Sequence, residues 1–322
     1  MAKLKILDKN IDLYICHSWF NNANEPGSEH GISGHIFEMI EYYWILKDNI
    51  NCKLLWTESL TWDQIELSIR SKYNFNDNEI FNIQMNSEFI YKPLLLKGNN
   101  ILIVDGNIKR MKSTLLFKNI IMFSCGDRDL YKLKDTKYHI FQDESTTPYG
   151  QVYKSGPRTQ QYTKKILFDR FKPTSKQFKK RTLLYLTGNC RKMDIDKLKQ
   201  LIEEYNKEVP RGTYLIATDE PEYYKELESD NIEIKKMPID DFLYEFDNYI
   251  YTPLTRRWDC SNRLLVECKY YGKTFQLKLP KDYKNDDLAL RSRHITLCSE
   301  GIKPLSLKPT DSIINKIKDC IK

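Results

Sequence analysis

Short apolar runs alternate with segments of helical period along most of this chain, and no other feature constrains its fold as much. Residues 11–16 and 53–56 read as strands, and between them Ile36, Met39, Ile40, Tyr43 and Lys47 fall on one helical face. A strand, helix and strand in succession require a crossover and hence a parallel sheet. Runs at 100–104 and 119–124 read as buried central strands, and 138–141 as another. Between them, 62–72 and 78–83 are amphipathic, and the remainder of 60–97 has no clear period. A second alternation starts at 182–186. It continues through a helix bearing Ile195, Leu198, Ile202 and Tyr205, a strand at 214–218, a helix near 220–228, a strand at 232–235 and a helix over 240–246. A strand at 247–252 and a helix after Ser261 follow, and 311–322 forms a last helix.

Two such alternations in 322 residues imply two domains of ordinary size, each Rossmann-like. The expected division is 1–168 and 169–310, with the helix at 311–322 packing back on the first domain. No run of 18 apolar residues occurs, and the start MAKLKILDKNID breaks into charge at once, so a soluble, cytoplasmic monomer is expected with no membrane partner. The eight cysteines include no C-x-x-C pair and no His stands at zinc spacing, so neither disulfides nor a structural metal is expected.

Charge is distributed unevenly. From residue 154 to residue 181 there are ten Lys or Arg and one acid, Asp169, against a net charge of +7 for the whole chain. The remainder is slightly acidic, and the basic excess lies in this one segment, interleaved with Tyr162, Phe168, Phe171 and Phe178. Its end reads as a domain linker. A basic stretch with interspersed rings suits a nucleic-acid partner, whose phosphates pair with the cations while an extruded base stacks on an aromatic. Arg158, Lys176, Lys179, Lys180 and Arg181 are the candidate contacts, and the bland alternative is a solvated charge run.

Three turns follow strands, where ligands of open α/β sheets collect. In TGNCRK, Gly188 and Asn189 let the backbone approach a phosphate, and Arg191 and Lys192 supply charge. In the stretch YTPLTRRWDCSNRLLVECKYYGKTF, Asp259 and Ser261 cap the helix that follows, with Arg263 beside its amino end. Glu267 stands on the border of that helix's apolar face, as a carboxylate for two ribose hydroxyls or as the partner of Arg263 one turn earlier. The loop HGISGH places Gly34 and His35 at the first strand-to-helix turn, as a cleft loop or a plain tight turn.

The stretch from Glu267 to Thr274 has the form E-x4-G-x-[PT] and resembles the nucleotide-sugar site of GT-B glycosyltransferases. The resemblance implies two Rossmann-like domains facing each other across a cleft, a Glu binding the donor's ribose, and an Arg one turn before it, here Arg263, at the diphosphate. The turn from Gly188 to Arg191 is similar to the Gly-x-x-Arg turn of the phage DNA glucosyltransferases, which binds the donor's nucleotide. That likeness implies a UDP-sugar donor without an obligatory metal. It also implies an acceptor hydroxymethyl group on a pyrimidine of double-stranded phage DNA, most readily 5-hydroxymethylcytosine, in an infected bacterial host. Glucose, arabinose or another sugar leaves the same motifs. Strand order then places the catalytic base after the strand at 119–124, on Asp127. Asp143, Glu144 and His17, His30 and His35 are its rivals, and Asp127 as an ordinary turn residue is the plain alternative. Other readings are transfer to a cell-envelope glycan or lipid, and a non-catalytic nucleotide-sugar or nucleic-acid binding module.

Overall fold

The computed structural model describes residues 3–17, 34–57, 60–90, 94–104, 115–124, 138–143, 159–162, 177–187, 193–209, 212–237, 239, 241–252, 263–278 and 310–322. The chain divides into two compact units: Met1–Phe171 with Leu307–Lys322, and Lys172–Ser306.

Unit 1 is built on one sheet of eight described strands: β1 (Lys3–Ile6), β2 (Leu13–His17), β3 (Cys52–Thr57), β4 (Ser87–Ile90), β5 (Leu94–Val104), β6 (Leu115–Ser124), β7 (Tyr138–Asp143) and β8 (Thr159–Tyr162). The spatial order is β4-β3-β2-β5-β6-β7-β8, with β1 beside the first half of β5, and every described pair is parallel. From β2 the chain moves outward through β3 to β4, then returns to β5 and moves the other way. The order therefore reverses between β2 and β5.

Buried runs such as Leu13–Cys16, Leu54–Trp56 and Ile101–Ile103 fill the middle of the sheet. Both faces of a parallel sheet are covered, so these strands are continuously apolar. Helix α1 (Gly34–Leu46) packs on β2, β3 and β5. Its burial is wider than the expected face, because Tyr42 packs tilted against Phe123 at 4.6 Å and Glu41, wholly buried, accepts the Tyr73 hydroxyl at 2.8 Å.

Helices α2 (Trp62–Lys72) and α3 (Asp77–Met85) coincide with the two amphipathic segments read at 62–72 and 78–83. Each starts with a capping box, Thr61 with Gln64 and Asn76 with Glu79, so two amide donors at each amino end are satisfied by side chains. The long basic segment contains β8, an edge strand ahead of the stretch read as a linker.

Unit 2 carries β9 (Thr182–Leu186), α4 (Ile195–Glu208), β10 (Tyr214–Thr218), α5 (Pro221–Tyr224), β11 (Ile232–Lys236), β12 (Asn248–Tyr251), α6 (Arg263–Tyr270) and β13 (Thr274–Leu277). Its sheet is parallel in the order β11-β10-β9-β12-β13, so the reversal falls between β9 and β12. The helix expected over 240–246 is only a 3-10 turn, Phe242–Tyr244, entered from Asp241 at a left-handed φ of 53°. A helix cannot run through such a residue, and the segment instead packs Phe242 against Tyr185 and Phe246. The helix near 220–228 is one α turn started by Pro221 and continued as a 3-10 turn, Lys225–Leu227.

Helix α7 (Thr310–Ile321) belongs to unit 1. It buries Ile313, Ile314, Ile317 and Cys320 against β6 and α1, and Lys318 bonds to Asn49 at 3.0 Å.

Candidate functional site

In open parallel sheets the crevice for a ligand opens at the carboxyl ends of the strands where their order reverses. In unit 2 those strands are β9 and β12, which are directly paired, with Asn248 opposite Thr182. The turn 188–192 leaves β9 and the segment 253–262 leaves β12. Gly188, Asn189, Arg191, Lys192, Asp259 and Ser261 therefore belong to the connections at this reversal, and all six lie outside the described residues.

What is described of this site is the helix that follows. Arg263 opens α6, and Leu264, Leu265 and Cys268 drive it into a core with Leu183, Tyr249 and Phe275. Glu267 is only 5% exposed, more deeply placed than the border position read from the period. Burying a carboxylate is costly without compensating bonds.

Two other positions of the E-x4-G-x-T stretch are explained by the fold. Gly272 sits at a φ of +67°, and the amides of Gly272 and Lys273 close on the carbonyls of Lys269 and Cys268 at 3.3 and 2.9 Å. This is a Schellman ending, in which glycine takes the left-handed conformation without penalty. Thr274 donates to the Asn248 side chain at 2.7 Å, and Asn248 donates to Thr182 at 3.0 Å and to the Tyr205 hydroxyl at 2.8 Å. These bonds make a satisfied polar row across the amino ends of β9, β12 and β13, opposite the end where the ligand crevice opens.

Lys273, between those positions, was not singled out by the sequence, where a Lys after a helix-ending Gly reads as solvated. It is 1% exposed. Its ammonium donates to the Phe246 carbonyl at 2.5 Å and lies 3.3 Å from the ring centre of Phe178 and 4.3 Å from that of Phe246. Burial lowers its pKa to about 8, although the nearby Cys268 and Asp247 favour the charged form. Phe178 is half-buried and stacked on Tyr244 at 5.6 Å.

Among the basic candidates, Lys179 and Lys180 are exposed, while Arg158 and Lys176 lie outside the described residues. Arg181 is different. Its guanidinium is 10% exposed and bonds to the carboxylates of Glu233 and Glu245 and to the Glu245 carbonyl. Lys235 bonds to the same two carboxylates at 3.1 and 2.8 Å, and Lys179 to Glu245 at 2.9 Å. Burial pushes both carboxyl groups up, but the bonds from Arg181 and Lys235 outweigh it at Glu233, as do those from Lys235 and Lys179 at Glu245. Both carboxyls are held below the usual range. Arg181 is committed to this cluster.

In unit 1 the reversal lies between β2 and β5, and Gly34 and His35 open α1, the helix that follows β2. Asp127 follows β6 and lies outside the described residues, as do His30 and Glu144; His17 ends β2 and Asp143 ends β7. Among the described residues there is no group of three or more His, Cys, Asp or Glu able to hold a metal, and no helix long and apolar enough to cross a membrane. Cys16, Cys52, Cys268 and Cys320 are buried free thiols.

Among solved structures the chain is similar to the pneumococcal O-GlcNAc transferase GtfA in complex with UDP and GlcNAc, at a TM-score of 0.41 and 14% identity over 69% of this chain and 56% of that one. It is also similar to MurG of Acinetobacter baumannii, at a TM-score of 0.40 and 9% identity over 95% of this chain and 99% of that one. The chain spans little more than half the length of the pneumococcal structure. No protein-family model matches the sequence, and no curated protein matches it.

Proposed function

We propose that the chain is a GT-B glycosyltransferase that binds a UDP-sugar on unit 2 and transfers the sugar to a hydroxyl group. The observation that carries this reading is the strand order of unit 2: the two segments singled out as nucleotide ligands leave adjacent strands at the point of reversal. In this reading Glu267 accepts the ribose hydroxyls. The turn from Gly188 to Lys192, the helix end capped by Asp259 and Ser261, and Arg263 hold the diphosphate. Asp127 takes the proton of the acceptor hydroxyl, whose oxygen bonds to the anomeric carbon as the bond to the diphosphate breaks. UDP leaves with the electron pair, its charge met by Arg191, Lys192 and Arg263. No step in this scheme needs a metal.

For the acceptor we propose the hydroxymethyl group of a modified pyrimidine in double-stranded DNA, with Arg158, Lys176, Lys179 and Lys180 at the phosphates. One observation favours a second reading, a cell-envelope glycan or lipid. Arg181 and Lys179 pair with acids of unit 2, so the basic segment presents less uncompensated charge than its sequence suggests. The test is mass spectrometry of products after incubation with a panel of UDP-sugars and either hydroxymethylcytosine duplex or lipid-linked glycan. Sugar mass added to the duplex supports the first acceptor, and addition only to the glycan supports the second. Transfer to neither, with UDP still bound, leaves a binding module. In the active pairing, Asp127→Asn is expected to lower turnover by roughly 10²–10⁴-fold with UDP affinity retained. Near-normal turnover would move the base to Asp143, Glu144 or a loop histidine.

A further inference from the structure

We propose that Lys273 is a positioning residue for the donor helix: it fastens Phe178 and the Phe246 carbonyl to the end of α6 and so holds Glu267 at its depth. The inference rests on the reading of Glu267 as the ribose ligand. Every other part of it lies within described residues of unit 2.

A buried ammonium is a poor way to fill space. An apolar side chain of similar volume generally serves stability as well or better, whereas a charged group fixes one geometry because only that geometry satisfies it. At Lys273 three attachments meet. The backbone is held by the Schellman ending of α6, through the bond to the Cys268 carbonyl at 2.9 Å. The ammonium donates to the Phe246 carbonyl at 2.5 Å, just ahead of β12. It also lies against the rings of Phe178 and Phe246, an arrangement that is strongest when desolvated.

Phe178 comes from the stretch shortly after unit 2 begins at Lys172, and it contacts Tyr244 and the edge of Tyr271. The Tyr271 amide bonds to the Glu267 carbonyl at 3.0 Å. One cation therefore joins the leading segment of the unit, the approach to β12 and the last turn of α6, with Glu267 one turn before that end. Cys268 on α6 and Asp247 ahead of β12 act on its charge, Tyr244 and Tyr271 flank Phe178, and Lys179 beside Phe178 is paired with Glu245.

The experiment is calorimetric titration of UDP into the full chain between pH 6.5 and 9.5, using wild type, Lys273→Met, Phe178→Leu and the double variant. Lys273→Met is expected to weaken UDP binding about tenfold. Phe178→Leu, which alters no proposed donor contact, is expected to weaken it several-fold. The double variant should lose less than the two single losses combined, because both break one latch. Wild-type affinity should fall as pH rises past about 8, where the ammonium titrates, and this step should be missing in Lys273→Met. Unchanged affinity in both single variants, or an alkaline step that persists in Lys273→Met, would overturn the inference while leaving the donor site intact. Wild type that binds no UDP at any pH would remove the donor reading itself, and the latch with it. Should Lys273→Met fail to fold, Phe178→Leu and the wild-type pH profile still decide.

Discussion

At Arg181 three cations and two carboxylates share one cluster at the start of unit 2, and the pH response of that cluster follows from its geometry. The carboxyls of Glu233 and Glu245 are held below their usual range in the folded chain. A carboxyl depressed by folding contributes its full stabilisation above its unfolded pKa, about 4.3 for Glu, and loses it as pH falls through the lower folded value. Thermal melts from pH 7 down to pH 3 should therefore show stability falling below about pH 4. Glu245→Gln should be less stable at pH 7 and have a shallower acid limb than wild type. Arg181→Met leaves the two carboxylates with Lys235 and Lys179 as partners, and a loss of about 1.5–3 kcal/mol is expected, the range for hydrogen bonds to charged groups. An acid limb of equal steepness in Glu245→Gln would mean that the cluster contributes no net stability. None of this was legible beforehand: Arg181 stands in a run of cations, and the acids that engage it are 52 and 64 residues away.

The ending of α6 is decided by one glycine. A Cβ at Gly272 would meet nothing within 4 Å, so any penalty for Gly272→Ala comes from the φ of +67° alone. The left-handed conformation costs a residue with a Cβ roughly 1–2 kcal/mol, against roughly 0.4–1 kcal/mol gained from a stiffer unfolded chain. Denaturant unfolding should show Gly272→Ala less stable by up to about 1.6 kcal/mol, with Gly272→Asn closer to wild type, because Asn tolerates this region. An increase in stability for Gly272→Ala would contradict the Schellman ending. Elements with strong periods or caps were readable: α2 coincides with the amphipathic segment at 62–72, and the capping boxes at Thr61 and Asn76 also stand in the sequence, each with its Gln or Glu three residues on. The edge strands β8 and β13 were not, whereas the edge strand β11 was. The strands β8 (TQQY) and β13 (TFQL) are only four residues long, too short for a clear period, and partners supplied from elsewhere in the sheet make them strands.

At the scale of the molecule, alternation of apolar runs with helical periods was enough to indicate parallel sheets, because both faces of such a sheet are covered and its strands must be continuously apolar. The reversal between β9 and β12 could be drawn only once the strand order was known, since sequence gives the succession of strands and not their neighbours. The ligand-bearing turns are loops whose glycines and charges follow no period. Their chemistry could be read there, but not their geometry.

The central claim is that unit 2 holds a nucleotide through Glu267, and calorimetric titration of UDP into wild type and Glu267→Ala tests it most directly. Charge-assisted bonds to the ribose contribute about 1.5–3 kcal/mol, so the account predicts one UDP per chain in wild type and roughly 10- to 150-fold weaker binding in the variant, which stays folded. Equal affinity in the two proteins, or a variant that loses its fold rather than its ligand, would contradict it.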